Sequence, residues 1–557
     1  MSPSPRIYSS TYASANVPSD QSFWQCILSH NIDDTLPDKI ILQEHERPER
    51  SLMYSSAPQL AGLGADALRN ILALTRGDTI LIVGKNSLDY LQVEFSALWA
   101  GITAAFGSPT ATVADLVHFI DIVEPKAIFC DADDVMARIT AAVGQTKWCK
   151  TIRLPIVGLG ERGTSQLAFP RDFIKDTSLS YSPPIDLTNT DAHTVPAVIC
   201  FSSGTSGLPK GAVLSHRNLI AYLLVARATD PNVASADQRD VFYAPLGHIY
   251  GVFAACLPLL TGGYVRLLRD YNLHEYIRAC VAVRATTLRI VPATLVAMVK
   301  DPFVREQDLT SVQTISCSGA VLAPDIIGEV HKMLGNETEI VQGYGMTEGS
   351  VTILRRYSAR RKQGSVGKLS ANVRVRIVDD SLNDVAPGES GEILFAAATV
   401  FMGYKKNDAA NKETFILGDE WIRSGDVGRI DEDGYVWLTD RKKDLIKYKG
   451  NQVTPAELEN ALHAHPLVME AGVCGKWDAV QETEVPVGYV NFKPSVAIAD
   501  REVVLKQVLE YVNSKVAKTK KLRGGLFYLE VFPRNATGKL MRRSLPARLQ
   551  AMRQAKL

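Results

Sequence analysis

Along the chain the apolar positions switch repeatedly between helical spacing and short unbroken runs. Residues 1–50 are polar and dotted with proline, with little periodicity before Phe23-Trp-Gln-Cys-Ile-Leu28. Leu60 to Leu74 has apolar residues at helical spacing, and Thr79-Ile-Leu-Ile-Val-Gly84 reads as a buried strand. Ser87 to Ala100 returns to helix, and Ala127-Ile-Phe-Cys130 to strand. Strands that alternate with helices predict a mostly parallel sheet covered on both faces. The next apolar run, Val195-Pro-Ala-Val-Ile-Cys-Phe201, ends in a loop, after which Ser215 is placed to cap a helix containing Leu219 to Ala226.

The middle of the chain repeats the theme. Asp240-Val-Phe-Tyr-Ala244 and Thr287-Leu-Arg-Ile-Val291 read as strands, with a buried apolar segment from Gly251 to Leu260 between them. Gln313 to Ala320 and Glu339 to Gly345 each run a strand into a Gly-containing turn. From Gly364 to about Trp437 short strands with Gly/Asp turns predict a small β-rich subdomain. The charged stretch Asp440-Arg-Lys-Lys-Asp-Leu-Ile-Lys447 marks a domain boundary, and Thr454-Pro-Ala-Glu457 beyond it reads as a capping box opening a helix that ends before Pro466. The fold class is therefore α/β. A large N-terminal domain over 1–439 combines parallel-type sheets flanked by helices with the β-rich subdomain, 440–443 join, and a small α+β domain covers 444–557.

Composition narrows this picture. At 557 residues the chain is too long for one ordinary core. A net charge of +1 argues against nucleic acid as a partner. The apolar run Gly251–Leu260 is far short of the roughly 20 residues of a membrane helix, and Met-Ser-Pro-Ser-Pro-Arg lacks the profile of a secretory signal. Cysteines at 26, 130, 149, 200, 256, 280, 317 and 474 include no C-x-x-C pair, so neither a disulfide framework nor a zinc site is expected. From Lys515 to Leu557 twelve Lys or Arg face one acid, Glu530, which suits a polyanionic small molecule or a solvated face.

The candidate chemistry begins at Phe201-Ser-Ser-Gly-Thr-Ser-Gly-Leu-Pro-Lys-Gly211. Glycines let backbone N–H groups close on phosphate oxygens, hydroxyls donate further hydrogen bonds, and a Lys adds a point charge. The loop fails the P-loop pattern, because Lys210 follows Pro209 and precedes Gly211. A Walker-type NTPase is disfavoured.

Four more stretches accompany it in order. They are Tyr243-Ala-Pro-Leu-Gly-His-Ile-Tyr-Gly251, Gln342-Gly-Tyr-Gly-Met-Thr-Glu348, Arg423-Ser-Gly-Asp-Val-Gly-Arg-Ile-Asp-Glu-Asp-Gly-Tyr435 with Asp440-Arg-Lys-Lys443, and Pro533-Arg-Asn-Ala-Thr-Gly-Lys539. Together they resemble the adenylate-forming superfamily of acyl-CoA synthetases, luciferases and non-ribosomal adenylation domains. Lys447-Tyr-Lys-Gly-Asn-Gln452 is similar to the 4-coumarate–CoA ligase branch. The resemblance spans about residues 50–545 and implies an ATP-dependent carboxylic acid–CoA ligase. An acid and MgATP give acyl-adenylate and pyrophosphate, and coenzyme A then takes the acyl group and releases AMP.

The resemblance also implies roles. The loop Ser202, Ser203, Gly204, Thr205, Ser206, Gly207 and Lys210 would hold phosphates, with Thr205, Ser206 and Lys210 at the β- and γ-phosphates. Thr347 and Glu348 match a Thr-Glu pair whose Glu holds Mg²⁺, a hard cation that prefers carboxylate oxygen. Asp426 and Arg441 would bind the ribose hydroxyls. Tyr344 and the Ser318-Gly319-Ala320 turn would flank adenine, beside Gln342, Gly343 and Gly345, although Tyr344 also reads as plain core. His248 would shield the carboxylate site, and Tyr250, Ser318, Gly343, Gly345, Met346 and Val351 would line the acyl pocket. Lys539 would bridge the carboxylate and the α-phosphate. In this family the small domain is mobile and swings about Lys443, presenting Lys539 for adenylation and Lys447, Lys449, Gly450 and Gln452 for thioester formation.

Three departures bear on substrate. Gly247 stands where the family has an aromatic residue before the His, which predicts extra room. Gly-Ser-Val-Thr follows Glu348, and Ser318-Gly-Ala-Val-Leu322 replaces the usual Gly-Ala-Ala-Pro-Leu, so a hydroxycinnamate-like aryl acid and a medium or long aliphatic acid are both open. The other readings are an adenylation enzyme loading a carrier-protein thiol, a luciferase-like oxygenase and a non-catalytic nucleotide-binding protein. A Gly-Gly-x-Ser-like carrier segment is not found after residue 545, and intact Lys210, Glu348 and Lys539 argue for catalysis. Ala555-Lys556-Leu557 resembles the peroxisomal signal Ser-Lys-Leu, which implies a peroxisomal location, otherwise a cytoplasmic one, and an import receptor as partner.

Overall fold

In the computed structural model the described residues are 5–554 except 132–133, 151–153, 161–166, 203–207, 318–323, 336–337, 354, 356–357, 359–360, 419–420, 450 and 535–539. The first apolar runs form the middle of one sheet. Thr79–Val83 lies between Thr103–Gly107 and Ala127–Asp131, all parallel, and every residue of the three strands is buried. Burial on both faces explains why these runs are continuous instead of alternating. The helices Ser56–Leu72 and Leu88–Ala100 cover the sheet on one side, and Val113–Val123 on the other. Ser87 caps the second of these helices by accepting from the Tyr90 N–H.

Pro196–Ser202 extends the sheet parallel to Thr103–Gly107, and the chain then turns back. Lys210–Ser215 is a strand antiparallel to Pro196–Ser202, so the Gly/Ser loop joins two neighbouring strands of one sheet. The expectation of a loop running straight to a helix misses this strand, because Gly211-Ala-Val-Leu-Ser215 is too short to show its period. Ser215 does cap the helix His216–Thr229, with a reciprocal bond between its backbone and Asn218. Gly403–Tyr404 completes this edge of the sheet.

A second large sheet carries the later strands. Thr287–Ile290, Thr314–Cys317 and Glu339–Met346 run parallel, then Gly349–Ile353 turns antiparallel and leads into the strands of the β-rich region. Trp421–Ile430 pairs with Tyr435–Arg441 in this sheet, placing Asp426 opposite Arg441. The apolar segment Gly251–Leu260 belongs to a buried helix, Ile249–Thr261.

Beyond Arg441 a turn leads to a separate group of elements with its own apolar core. The hairpin Ile446–Tyr448 with Asn451–Val453 and the sheet Val468–Asp478, Thr483–Phe492, Leu526–Tyr528 pack against the helices Pro455–His463 and Arg501–Lys515. Pro455 opens its helix as expected, but Thr454 makes no side-chain cap bond. Glu457 is instead paired with Lys520 at 2.6 Å, which draws it away from the role a capping box requires. Arg542 braces the turn: it donates to Glu459 at 2.8 and 2.7 Å and reaches Asp440 and Asp444 at 3.4 Å. The backbone carbonyl of Lys443 accepts from Arg543 at 3.2 Å.

Candidate active site

Crevices at the carboxyl ends of parallel strands are where α/β sheets gather ligand-binding groups. Here the two large sheets and the C-terminal elements border one cleft of about 1930 Å³. Ser202, Lys210, His248, Tyr250, residues 342–348, Arg441, Lys443 and Lys447 all line it. Sequence positions from opposite ends of the chain thus share one space. Ser203 to Gly207, Ser318 to Ala320, Gly450, Lys539 and Ala555 to Leu557 lie outside the described residues.

Gln342 to Met346 occupy the end of the strand Glu339–Met346, and Thr347 with Glu348 form the tight turn into Gly349–Ile353. Both turn residues are nearly buried. The Glu348 carboxylate accepts from the Tyr404 hydroxyl at 2.5 Å, and its backbone carbonyl accepts from the Phe401 N–H at 3.1 Å. Lys210 lies with its ammonium 5.0 Å from the centre of the Tyr404 ring. Burial, reinforced by the charge of Glu348, raises the Tyr404 phenol well above its usual range, so it is a donor throughout the physiological interval.

Tyr344 joins two groups that were expected to face a nucleotide from different strands. Its hydroxyl donates to Asp426 at 2.8 Å, and the other oxygen of Asp426 stands 3.4 Å from Arg441. Burial is the main cause of the upward shift of the Tyr344 phenol. The ring also belongs to the apolar core of the β-rich sheet, beside Val351, Val366 and Phe395. Val351 is fully buried there and is not among the cleft-lining residues, whereas Ser350 and Thr352 are. Its packing in that core, with Tyr344 and Phe395, keeps Val351 from the cleft and corrects its assignment to the acyl pocket.

His248 caps the helix Ile249–Thr261: its Nδ1 accepts from the Tyr250 N–H at 3.2 Å, so in the neutral ring the proton sits on Nε2. Gly247 corrects another expectation. A Cβ at this position would lie 2.7 Å from the Phe106 Cβ and 3.0 Å from the Tyr90 hydroxyl. The room released by the missing side chain is filled by the stacked pair Tyr90 and Phe106, whose ring centres are 5.9 Å apart. Phe106 faces the cleft in place of the absent aromatic residue.

On the C-terminal side, the backbone N–H of Lys447 donates to Glu484 at 2.8 Å, and that of Lys449 donates to Thr483 at 2.9 Å. Lys447 reaches the cleft, while Lys449 and Gln452 lie on the exposed hairpin outside it. Lys443 pairs with Glu413 at 3.2 Å. The reading from sequence overlooks Tyr404 and Asn411, which organise the Glu348 corner; the available signal is Gly403-Tyr404 closing the apolar run Val400-Phe401-Met402.

Among the described residues there is no cluster of three or more His, Cys, Asp or Glu that could enclose a metal. Glu348 offers a carboxylate to the cleft beside the Tyr404 ring that Lys210 overlies. That donor set suits Mg²⁺, which keeps several waters and is commonly held by one or two carboxylates together with substrate phosphates. No helix among the described residues is long and apolar enough to cross a membrane.

This arrangement of Lys210, a Thr-Glu turn and Arg441 around one cleft, with Asp426 buried behind Tyr344 and Arg441, defines a nucleotide-handling α/β enzyme. Residues 30–405 match the AMP-binding enzyme family and residues 457–539 match the AMP-binding enzyme C-terminal domain, and the chain belongs to this family. It is 32% identical over 490 residues to peroxisomal OPC-8:0-CoA ligase 1 of Arabidopsis thaliana, covering 86% of this chain and 85% of that protein. It is 29% identical to 4-coumarate–CoA ligase-like 9 of the same plant, over 93% of this chain and 86% of the relative. The crystal structure of ATP-bound MatB from Rhodopseudomonas palustris superposes with a TM-score of 0.79 at 25% identity, covering 95% of this chain and 99% of that one.

Proposed function

We propose that this protein is an AMP-forming acid–CoA ligase that makes an acyl-adenylate from a carboxylic acid and ATP and then transfers the acyl group to coenzyme A. The observation that carries this reading is the convergence of Lys210, Glu348, Tyr344, Arg441 and His248 on one cleft, with Asp426 buried behind it and bonded to both Tyr344 and Arg441. Attack of a carboxylate on a phosphate brings two anions together, so positive charge and oriented donors must surround the phosphoryl group.

In this reading Lys210 and the loop at 203–207 hold the β- and γ-phosphates. Glu348 holds the Mg²⁺ that neutralises phosphate charge. The Asp426 carboxylate accepts from the ribose hydroxyls while Arg441 fixes its orientation. His248, with its proton on Nε2, donates toward the carboxylate end of the acid, and Tyr250 and Phe106 form the start of the acyl wall. Lys539 bridges the carboxylate and the α-phosphate. The C-terminal elements, carrying Lys447 and its hairpin, serve the thioester step after a swing about Lys443. Matches to CoA ligases over most of the chain support coenzyme A as the acceptor. The named peroxisomal relative and the Ala555-Lys556-Leu557 tail support a peroxisomal setting, with import by a receptor that reads that tail.

The test is ATP–pyrophosphate exchange across a panel of aryl and aliphatic acids, followed by detection of the CoA thioester. Exchange with at least one acid, and thioester only when coenzyme A is added, is the expected result. A purified protein that binds ATP but exchanges pyrophosphate with no acid would overturn the reading.

A further inference from the structure

The segment around Tyr404 is tied to both sides of the phosphate end of the cleft. Met402 N–H donates to the Val213 carbonyl and Lys405 N–H to the Gly211 carbonyl, each at 2.8 Å, which fastens the segment to the strand that begins at Lys210. One residue earlier, Phe401 N–H holds the Glu348 carbonyl at 3.1 Å. Tyr404 itself is clamped by Asn411, which accepts from its N–H at 2.7 Å and donates to its carbonyl at 3.0 Å. Gly403 permits this path: its φ is +126°, and a Cβ there would lie 3.1 Å from the Asn411 oxygen. With its backbone fixed at both ends, the ring sets its hydroxyl 2.5 Å from Glu348 Oε1 and its face 5.0 Å from the Lys210 ammonium.

We propose that Tyr404 is a positioning residue that aims the Glu348 carboxylate at a divalent cation and sets its spacing from Lys210. The proposal rests on reading Glu348 as the cation's carboxylate. A phenol bonded to one oxygen leaves the other oxygen to face the cation. It also stops the carboxylate from swinging onto the nearby Lys210, a pairing that would withdraw both groups from phosphate. Partners of this kind behind a metal-binding carboxylate commonly change metal affinity by about 10–100-fold when removed.

The experiment uses the full-length protein, its Tyr404→Phe variant and a Glu348→Gln variant. Free Mn²⁺ is counted by electron paramagnetic resonance in the presence of an ATP analogue with a methylene between the α- and β-phosphorus atoms. Tyr404→Phe keeps the ring under Lys210, so analogue binding without metal should stay within about twofold, while Mn²⁺ binding in the ternary complex weakens about tenfold or more. The Mg²⁺ concentration that half-saturates pyrophosphate exchange should rise in parallel, and Asn411→Ala should move Mn²⁺ binding in the same direction. Wild-type Mn²⁺ affinity in Tyr404→Phe, with a loss in Glu348→Gln, overturns the positioning role alone. Wild-type affinity in Glu348→Gln overturns the cation reading of Glu348 and this proposal with it.

Discussion

Glu94, on the helix Leu88–Ala100, is fully buried, and neither carboxylate oxygen has a hydrogen-bond partner among the described residues. Burial pushes its carboxyl up to about 8, so it is folded in the neutral form at pH 7. The unfolded chain releases this proton near the usual carboxylate range, so stability falls as pH rises from about 4.5 to 8, by on the order of 5 kcal/mol in all. Glu94→Gln should therefore raise the thermal midpoint at pH 8 relative to the parent, with the gain shrinking toward pH 5; a gain independent of pH would refute the buried neutral acid. His216 acts in the other direction. Its Nδ1 accepts from the Phe23 N–H at 3.1 Å, its Nε2 is buried without a partner among the described residues, and burial lowers it to about 4. Here the unfolded chain takes up a proton first, so stability present above pH 6.5 is lost as pH falls toward 4, on the order of 3 kcal/mol in all. Urea midpoints measured across that window should fall more steeply for the parent than for His216→Gln, and equal slopes would count against it.

At the scale of elements, short strands are the hardest to read. Thr79–Val83 and Ala127–Asp131 are legible because both of their faces are buried and their residues are largely apolar. Lys210–Ser215 is not, since it begins with a Lys and takes its place from pairing with Pro196–Ser202. Val351 is misplaced in a reading from sequence because its packing with Tyr344 and Phe395 in the core of the β-rich sheet keeps it from the cleft. Gly247 stands out as unusual, but only the packing of Tyr90 and Phe106 from distant elements reveals that the vacated volume is taken. Gly247→Ala is accordingly an overpacking change. It should destabilise by about 1–3 kcal/mol and raise KM for the acid more than KM for ATP, because Phe106 lines the cleft. Denaturant titration and paired KM measurements check both parts, and unchanged acid KM would separate Phe106 from the acyl wall.

At the scale of the molecule, the alternation of strands and helices reveals the fold class, and the motifs point to Ser202, Lys210, His248, Tyr250, residues 342–348 and Arg441, which the fold brings to one cleft. The Tyr404–Asn411 clamp escapes, since its parts are ordinary residues whose meaning comes from contacts with Gly211, Val213 and Glu348. The same holds for Arg542, three positions after Lys539, which ties to Asp440, Asp444 and Glu459 around the turn that carries Lys443. That tie joins the tail to the turn. Lys539→Ala should abolish adenylate formation and spare CoA transfer from supplied acyl-adenylate; equal loss of both half-reactions would contradict a lysine used in one orientation only.

The placement of the thiols gives a test of the proposed swing about Lys443. Seven of the eight cysteines are buried, and Cys149 alone is partly exposed, on the large-sheet side of the molecule. Val480, at the tip of the hairpin joining the two long C-terminal strands, is 94% exposed. A cysteine introduced at that tip gives, with Cys149, a pair of dye positions on opposite sides of the turn. Energy transfer between the dyes should change when ATP and an acid are added if the C-terminal elements swing about Lys443, and an unchanged signal would count against the swing.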